Sequence, residues 1–213
     1  MKKLLLIAVV AGALPFAAQA ESNVSAGGAG AQTATARLNF LVTVPKVLFL
    51  QVGAGTSYAT NSTVNNINFA VPAGSVGNGT AVAAAGGDLA GGNGVTVRVL
   101  GNTGNVSLTN ATNGQLTTGS GPTIPWTDIT VTPGALATQT PGFTNSAIAH
   151  PPFNNGNNGG NSATPTTLNA TAGLVRREGS WTFAYANTAA LPAGTYGNTV
   201  ANHGTVTYTA TAP

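Results

Sequence analysis

Hydrophobic and polar residues alternate with a period of two along much of the chain. After residue 20 they nowhere sustain the three-to-four-residue spacing of an amphipathic helix. Ala36, Leu38, Phe40, Val42 and Val44 alternate with Thr35, Arg37, Asn39, Leu41 and Thr43, which predicts a first strand stopped or bent by Pro45. Residues 47–52 form a more continuous apolar run, the pattern of a strand covered on both faces or switching between sheets. Alternation returns at Ile67, Phe69 and Val71, at Val95, Val97 and Val99, and at Val106 and Leu108. It recurs in a short form at Ile129 and Val131, and then at Trp181, Phe183 and Tyr185 and at Val206, Tyr208 and Ala210. Residues 80–84 read as a weak edge strand, and 168–175 as the start of another.

Gly, Asn and Pro punctuate these runs, with Pro72-Ala73-Gly74 and Asn113-Gly114 as chain-reversal signals. Arg176-Arg177-Glu178-Gly179 reads as a charged turn into Trp181. Leu191-Pro192-Ala193-Gly194 redirects the chain between the last two runs, which together predict a hairpin-like closing unit with an aromatic plug. Residues 141–166 keep no period: Pro151-Pro152-Phe153 leads into an Asn/Gly run at 154–161, and a long exposed loop is expected. Many short strands and no helix predict an all-β fold, an Ig-like antiparallel β-sandwich with long Gly/Asn-rich loops. A propeller or β-helix would need a fixed internal repeat, and none is seen.

Residues 1–20 stand apart. Lys2 and Lys3 precede an apolar run from Leu4 to Leu14, and Ala18-Gln19-Ala20 is an A-x-A cleavage site ahead of Glu21. This is the form of a cleaved Sec-type signal peptide of bacterial style, too short for a comfortable membrane span and broken by Pro15. The expected organisation is a signal at 1–20, a flexible Gly/Ala-rich tail at 21–33 and a single sandwich domain at 34–213. An exported protein is implied, in the periplasm, at the cell surface or outside the cell, with no membrane span after cleavage.

Composition narrows the chemistry. Lys2 and Lys3 account for two of the seven basic residues, so the net charge of +3 describes no basic patch and no nucleic-acid partner. Charged residues are 5% of the chain, which leaves solubility to Asn, Thr, Ser and Gly. The absence of cysteine removes disulfides, thiol catalysis and thiolate metal ligands together. Past the signal, the carboxylates and imidazoles are Glu21, Asp88, Asp128, Glu178, His150 and His203. No G-x-S-x-G elbow or nucleophile–base spacing accompanies them, and Asp88 with Asp128 is the lone candidate for a glycosidase pair. Both histidines read as solvated loop residues. The glycine-rich stretch around Asp88 has too few oxygen ligands for calcium. No catalysis, cofactor or metal is expected.

The signal peptide, the Ala36–Val44 strand and the closing P-A-G-T-Y-G … G-T-V-T-Y-T-A run together resemble the Ig-like subunits and accessory proteins of bacterial surface filaments. The resemblance implies a non-catalytic structural subunit that meets protein partners, including copies of itself, through β-strands. Two departures stand out: many chaperone–usher pilins carry a disulfide, and their donor segment is an apolar extension at the mature N-terminus. Here residues 21–32 hold Val24 as their one large apolar side chain. Ala36, Leu38, Phe40, Val42 and Val44 therefore read first as an ordinary internal strand and second as a strand-exchange segment.

The other function class is a carbohydrate- or surface-binding adhesin module. It would use the 141–166 loop and Trp126, whose flanking Pro125 places it on a loop where a flat aromatic face could meet a sugar. The competing role for Trp126 is to cap one end of the core. Trp181 belongs to the core by its register with Phe183 and Tyr185. Tyr196 is a candidate corner tyrosine, and Arg98 on the polar face of its strand is expected in solvent or beside one of the few acids.

Overall fold

Valine at every second position from Val95 to Val99, facing Val175 and Trp181 on the neighbouring strand, builds the centre of the molecule. β-Branched side chains suit the pleated surface, and the odd-numbered set points to one side. The computed structural model describes residues 21–56 and 58–213; the signal-peptide reading lies outside the described residues. The chain separates into two units, Met1–Val44 and Pro45–Pro213.

The second unit is an all-β sandwich. Its strands, in chain order, are β1 (Leu48–Val52), β2 (Ile67–Asn68), β3 (Val82–Ala83), β4 (Ala85–Gly87), β5 (Asn93–Gly101) and β6 (Val106–Thr112). They continue with β7 (Ile129–Gly134), β8 (Thr144–Asn145), β9 (Gly160–Asn161), β10 (Thr166–Leu168), β11 (Val175–Tyr185) and β12 (Thr207–Thr211). The larger sheet centres on β5 and β11, antiparallel from Gly94 opposite Thr182 to Gly101 opposite Val175. β1 and the β4–β2 pair flank β5, while β7, β8 and β3 flank β11. The short β4–β5 and β8–β11 pairings are parallel, so this sheet is mixed. The smaller sheet centres on β6, with β10 and β9 on one side and β12 on the other.

Val95, Val97, Val99, Val175 and Trp181 from the larger sheet meet Val106, Leu108 and Leu168 from the smaller one in the main core. A second cluster of Ile124, Trp126, Ile129 and Tyr185 closes one end. The two strands of the expected closing hairpin belong to different sheets: β11 is central in one and β12 an edge strand of the other. Local alternation predicted both strands, but the 186–206 connection is long enough to cross between layers.

Two further expectations change. Arg176–Gly179 is the start of the longest strand and not a turn, because Glu178 stands opposite Arg98 in the β5–β11 ladder and the charges meet. The long loop expected over 141–166 is exposed over much of its length, including 156–158 of the Asn/Gly run, but it is anchored inward at a few points. Phe143, Ile148 and Pro151 are buried, and the segment runs from the larger sheet to the smaller one. The Ser146 amide donates to the Glu178 carbonyl, the Trp181 indole donates to the Ile148 carbonyl at 2.7 Å, and the Asn110 side-chain amide donates to the Pro151 carbonyl at 2.5 Å. Glycine at 179 makes room for this crossing: a Cβ there would lie 2.5 Å from the Ser146 carbonyl oxygen. Backbone bonds given to buried side chains let an irregular segment turn inward at these points.

In the Met1–Val44 unit, described residues 21–44 carry no helix or strand. Leu38, Phe40, Leu41, Val42 and Val44 are exposed, Phe40 by 86% and Leu41 by 92%. The ordinary internal strand expected over Ala36–Val44 is thus corrected. Alternation provides an apolar face, but a strand also needs a partner for its amides and carbonyls, and no ladder among the described residues includes these. Arg37 donates to Glu21 at 2.7 and 3.0 Å, an exposed pair of little consequence for stability.

Candidate functional site

β1 and β12 are edge strands of opposite sheets, and each has a hydrogen-bonded neighbour on one side alone among the described strands. They run beside each other at the open flank of the sandwich. Leu50 and Val52 of β1, with Tyr208 and Ala210 of β12, are partly buried against the main core. Toward the start of β1 and the end of β12 the flank opens into a cleft of about 240 Å³, lined by Lys46, Val47, Leu48, Thr103, Ala212 and Pro213. Val47 and Leu48 remain exposed there. Unpaired backbone edges beside apolar side chains make a surface that can accept another strand. The opposite edge of the larger sheet, β7, carries Pro133, which lacks a donor and blunts that edge.

A second depression, of about 460 Å³, lies among Gln115, Thr117, Thr123, Asn157 and His203. These polar side chains share the lining with Gly119 and Ala201, and none is a carboxylate, lysine or arginine. His203 adopts a left-handed φ of 61°, and its Nδ1 lies 2.9 Å from the Gln115 carbonyl. A carbonyl can only accept, so Nδ1 carries the proton. Thr123 donates to Gln115 Oε1 at 2.5 Å.

Trp126 is buried, 6% exposed. Its indole donates to the Gly114 carbonyl at 2.6 Å, its backbone amide donates to Asn155 Oδ1 at 2.7 Å, and its ring lies 4.8 Å from that of Phe153. It caps the second core cluster and presents no open face to a sugar. The two expected adhesin elements are therefore joined differently: Asn155 of the 141–166 segment fastens Trp126 in place, while Asn157 lines the polar depression.

The titratable residues are dispersed. Asp88 Oδ1 accepts from the Thr96 amide at 2.7 Å, and Asp128 lies in a 3-10 turn leading into β7, so each has a local role. Among the described residues no three His, Cys, Asp or Glu side chains gather as a metal site. Tyr196 donates to the Pro192 carbonyl four residues upstream, a tie within its own loop. Arg98 finds an acid: its Nε lies 2.9 Å from Glu178 Oε2, with Gln51 and Thr140 around the guanidinium.

His150 is partly buried and not a solvated loop residue. Its ring meets those of Phe153, Trp181 and Tyr208 at centroid distances of 4.5, 4.6 and 5.6 Å, and its Nε2 lies 2.8 Å from the Tyr208 hydroxyl. Burial pushes the imidazole pKa down to about 4, and burial likewise raises the Tyr208 phenol. Sequence reasoning missed this cluster because His150 precedes two prolines in a stretch with no period. The chain as a whole matches no protein-family model, no curated protein and no solved structure in comparisons with known proteins.

Proposed function

We propose that this protein is an exported, non-catalytic structural subunit that assembles through β-strands, its residues 36–44 entering the β1/β12 flank of another copy. The observation that carries the reading is the exposure of Leu38, Phe40, Val42 and Val44 on a segment with strand periodicity and no ladder of its own. Such a segment gains most when a sheet edge takes up its amides and an apolar cleft takes one face. Each large side chain fully buried in this way contributes about 1.5–3 kcal/mol. The flank between β1 and β12 supplies both requirements, and residues 1–20 supply the export signal in this reading.

Light scattering after size exclusion tests it. The unmodified protein is expected to form oligomers that persist in high salt, since the contact is apolar. Leu38→Asp with Phe40→Asp is expected to yield monomers with an unchanged β-sheet circular dichroism spectrum. A monomeric parent protein, or oligomers indifferent to the double substitution, would rule the reading out.

The uncharged polar depression favours a second reading, a carbohydrate- or surface-binding module. Hydroxyl, amide and imidazole groups in one concavity suit a neutral polyhydroxyl ligand. Binding on an array of neutral glycans is expected to fall at least tenfold for Thr123→Val with Asn157→Leu and to be unchanged for Trp126→Phe. Absence of binding, or binding insensitive to the groove substitutions, would remove this alternative.

A further inference from the structure

The imidazole of His150 joins three parts of the sandwich at one point. It stands on the crossing segment two residues after Ile148, whose carbonyl takes the Trp181 indole hydrogen bond. Its ring lies edge-on to Trp181 of the central strand β11, with an interplanar angle of 78°. Its Nε2 reaches the hydroxyl of Tyr208, the one aromatic residue of edge strand β12, and the Tyr208 ring in turn lies 5.2 Å from Trp181. Among the described strands, β12 has hydrogen bonds to β6 on one side only. Its attachment toward the larger sheet therefore depends on side chains, and Tyr208 is the largest of them.

We propose that His150 is an acid-operated latch on β12, holding Tyr208 against Trp181 when neutral and releasing that strand from the larger sheet when protonated. The groups facing the imidazole are few. Tyr208 on β12 is the titratable one, β11 contributes the Trp181 indole, and Phe153 comes from the same segment as His150. No charged side chain sets its protonation; burial alone does so. The Glu178–Arg98 pair lies on even-numbered positions of β11 and β5, the face opposite to Trp181. An imidazolium in the cluster would lose its hydration and gain the Tyr208 oxygen as an acceptor, with aromatic carbon around the rest.

The imidazole of the latched state titrates near 4, whereas a released one titrates near its ordinary 6.5. The released form binds the proton more tightly, so acid favours release. Between pH 7 and pH 4 the ratio of released to latched forms rises by about a hundredfold. Most of this change falls between 6.5 and 4, and it levels off below 4. Because β12 forms one wall of the flank described above, acid would also reshape that surface. This last consequence rests on the assembly reading; the latch itself does not.

Hydrogen exchange on the purified protein tests the latch, with rates corrected for the intrinsic pH dependence of amide exchange. Without the Tyr208 anchorage the edge strand frays from its single ladder, so amides of β12 hydrogen-bonded to β6 are expected to lose about a hundredfold in protection between pH 7 and pH 4, while β5 amides paired with β11 lose much less. In His150→Phe, which keeps a ring but no titrating group, β12 protection is expected to be flat over that range. The same loss in His150→Phe, or no loss in the parent protein, overturns the proposal. Aromatic faces also attract cations. An NMR titration of the parent protein is therefore an independent test should the variant not fold: an imidazole midpoint near 4 supports the latch, and one at or above 6.5 overturns it. If exchange and titration agree with the latch but the protein is monomeric at every pH, the assembly reading fails and the latch stands.

Discussion

Glu178→Gln is expected to lower the stability of the sandwich by about 3–5 kcal/mol, the scale found when one member of a buried ion pair is removed. Glu178 is fully buried, and the side chain of Arg98 is 18% exposed. Oε2 accepts from Arg98 Nε at 2.9 Å, and Oε1 accepts from the Thr140 amide at 2.5 Å. The Arg98 guanidinium also donates to Gln51 on β1 and to the Thr140 hydroxyl. The carboxylate thus ties the 135–145 connection down onto the outer face of β5 and β11. Asn145 adds a reciprocal pair of bonds to Leu136 that shapes the same connection. Glutamine is nearly isosteric, yet it leaves the arginine charge without its counter-ion. Urea unfolding of Glu178→Gln, of Arg98→Met and Glu178→Leu singly, and of those last two combined checks this expectation. The double variant is expected to recover much of the loss, because two apolar groups leave no stranded charge. A loss below about 1 kcal/mol in Glu178→Gln would contradict the buried pair.

Burial raises the Glu178 pKa, but the Arg98 guanidinium and the Thr140 amide and hydroxyl more than offset it, so the carboxyl lies below its ordinary 4.5. Its stabilisation is therefore complete above the unfolded value and disappears as pH falls through the folded one. The His150 effect occupies a higher window, from 6.5 down to about 4. Acid unfolding of this protein is expected to have two limbs, and His150→Phe is expected to delete the upper one.

Trp181→Ala is the other large loss expected, again about 3–5 kcal/mol. The side chain is fully buried in the main core, and its ring packs against His150 and Tyr208. Truncation opens a cavity between the sheets and strands the Ile148 carbonyl that the indole now satisfies. For a chain of this size the melting temperature should fall by roughly 6–20 °C. Trp181→Phe separates the two contributions: it retains most of the apolar volume and loses the hydrogen bond, for about 1–3 kcal/mol. Thermal melts followed by circular dichroism, with the urea slope compared between variants, measure both losses. A melting point within about 2 °C of the parent for Trp181→Ala would show that Trp181 does not anchor the core.

Local pattern alone marked the central stretches of the main strands of the sandwich. Val95–Val99, Val106–Leu108, Ile129–Val131 and Trp181–Tyr185 alternate because one face of each is buried, and period two is a property of the extended backbone itself. The all-β class followed from those stretches and the absence of helical spacing. Partners, by contrast, are set by contacts distant in sequence. Residues 36–44 have the alternation of a strand yet no ladder, since alternation specifies a face and not a neighbour. Glu178 and Arg98 each look like surface charges, and only the β5–β11 register sets them opposite one another. The 141–166 segment has the composition of an exposed loop and is exposed over much of its length, but the tertiary structure draws Ile148, His150 and Pro151 inward. There, Trp181, Asn110 and Tyr208 meet their polar groups. Buried polar groups need partners, and those partners come from strands far away in the chain, where no local pattern records them.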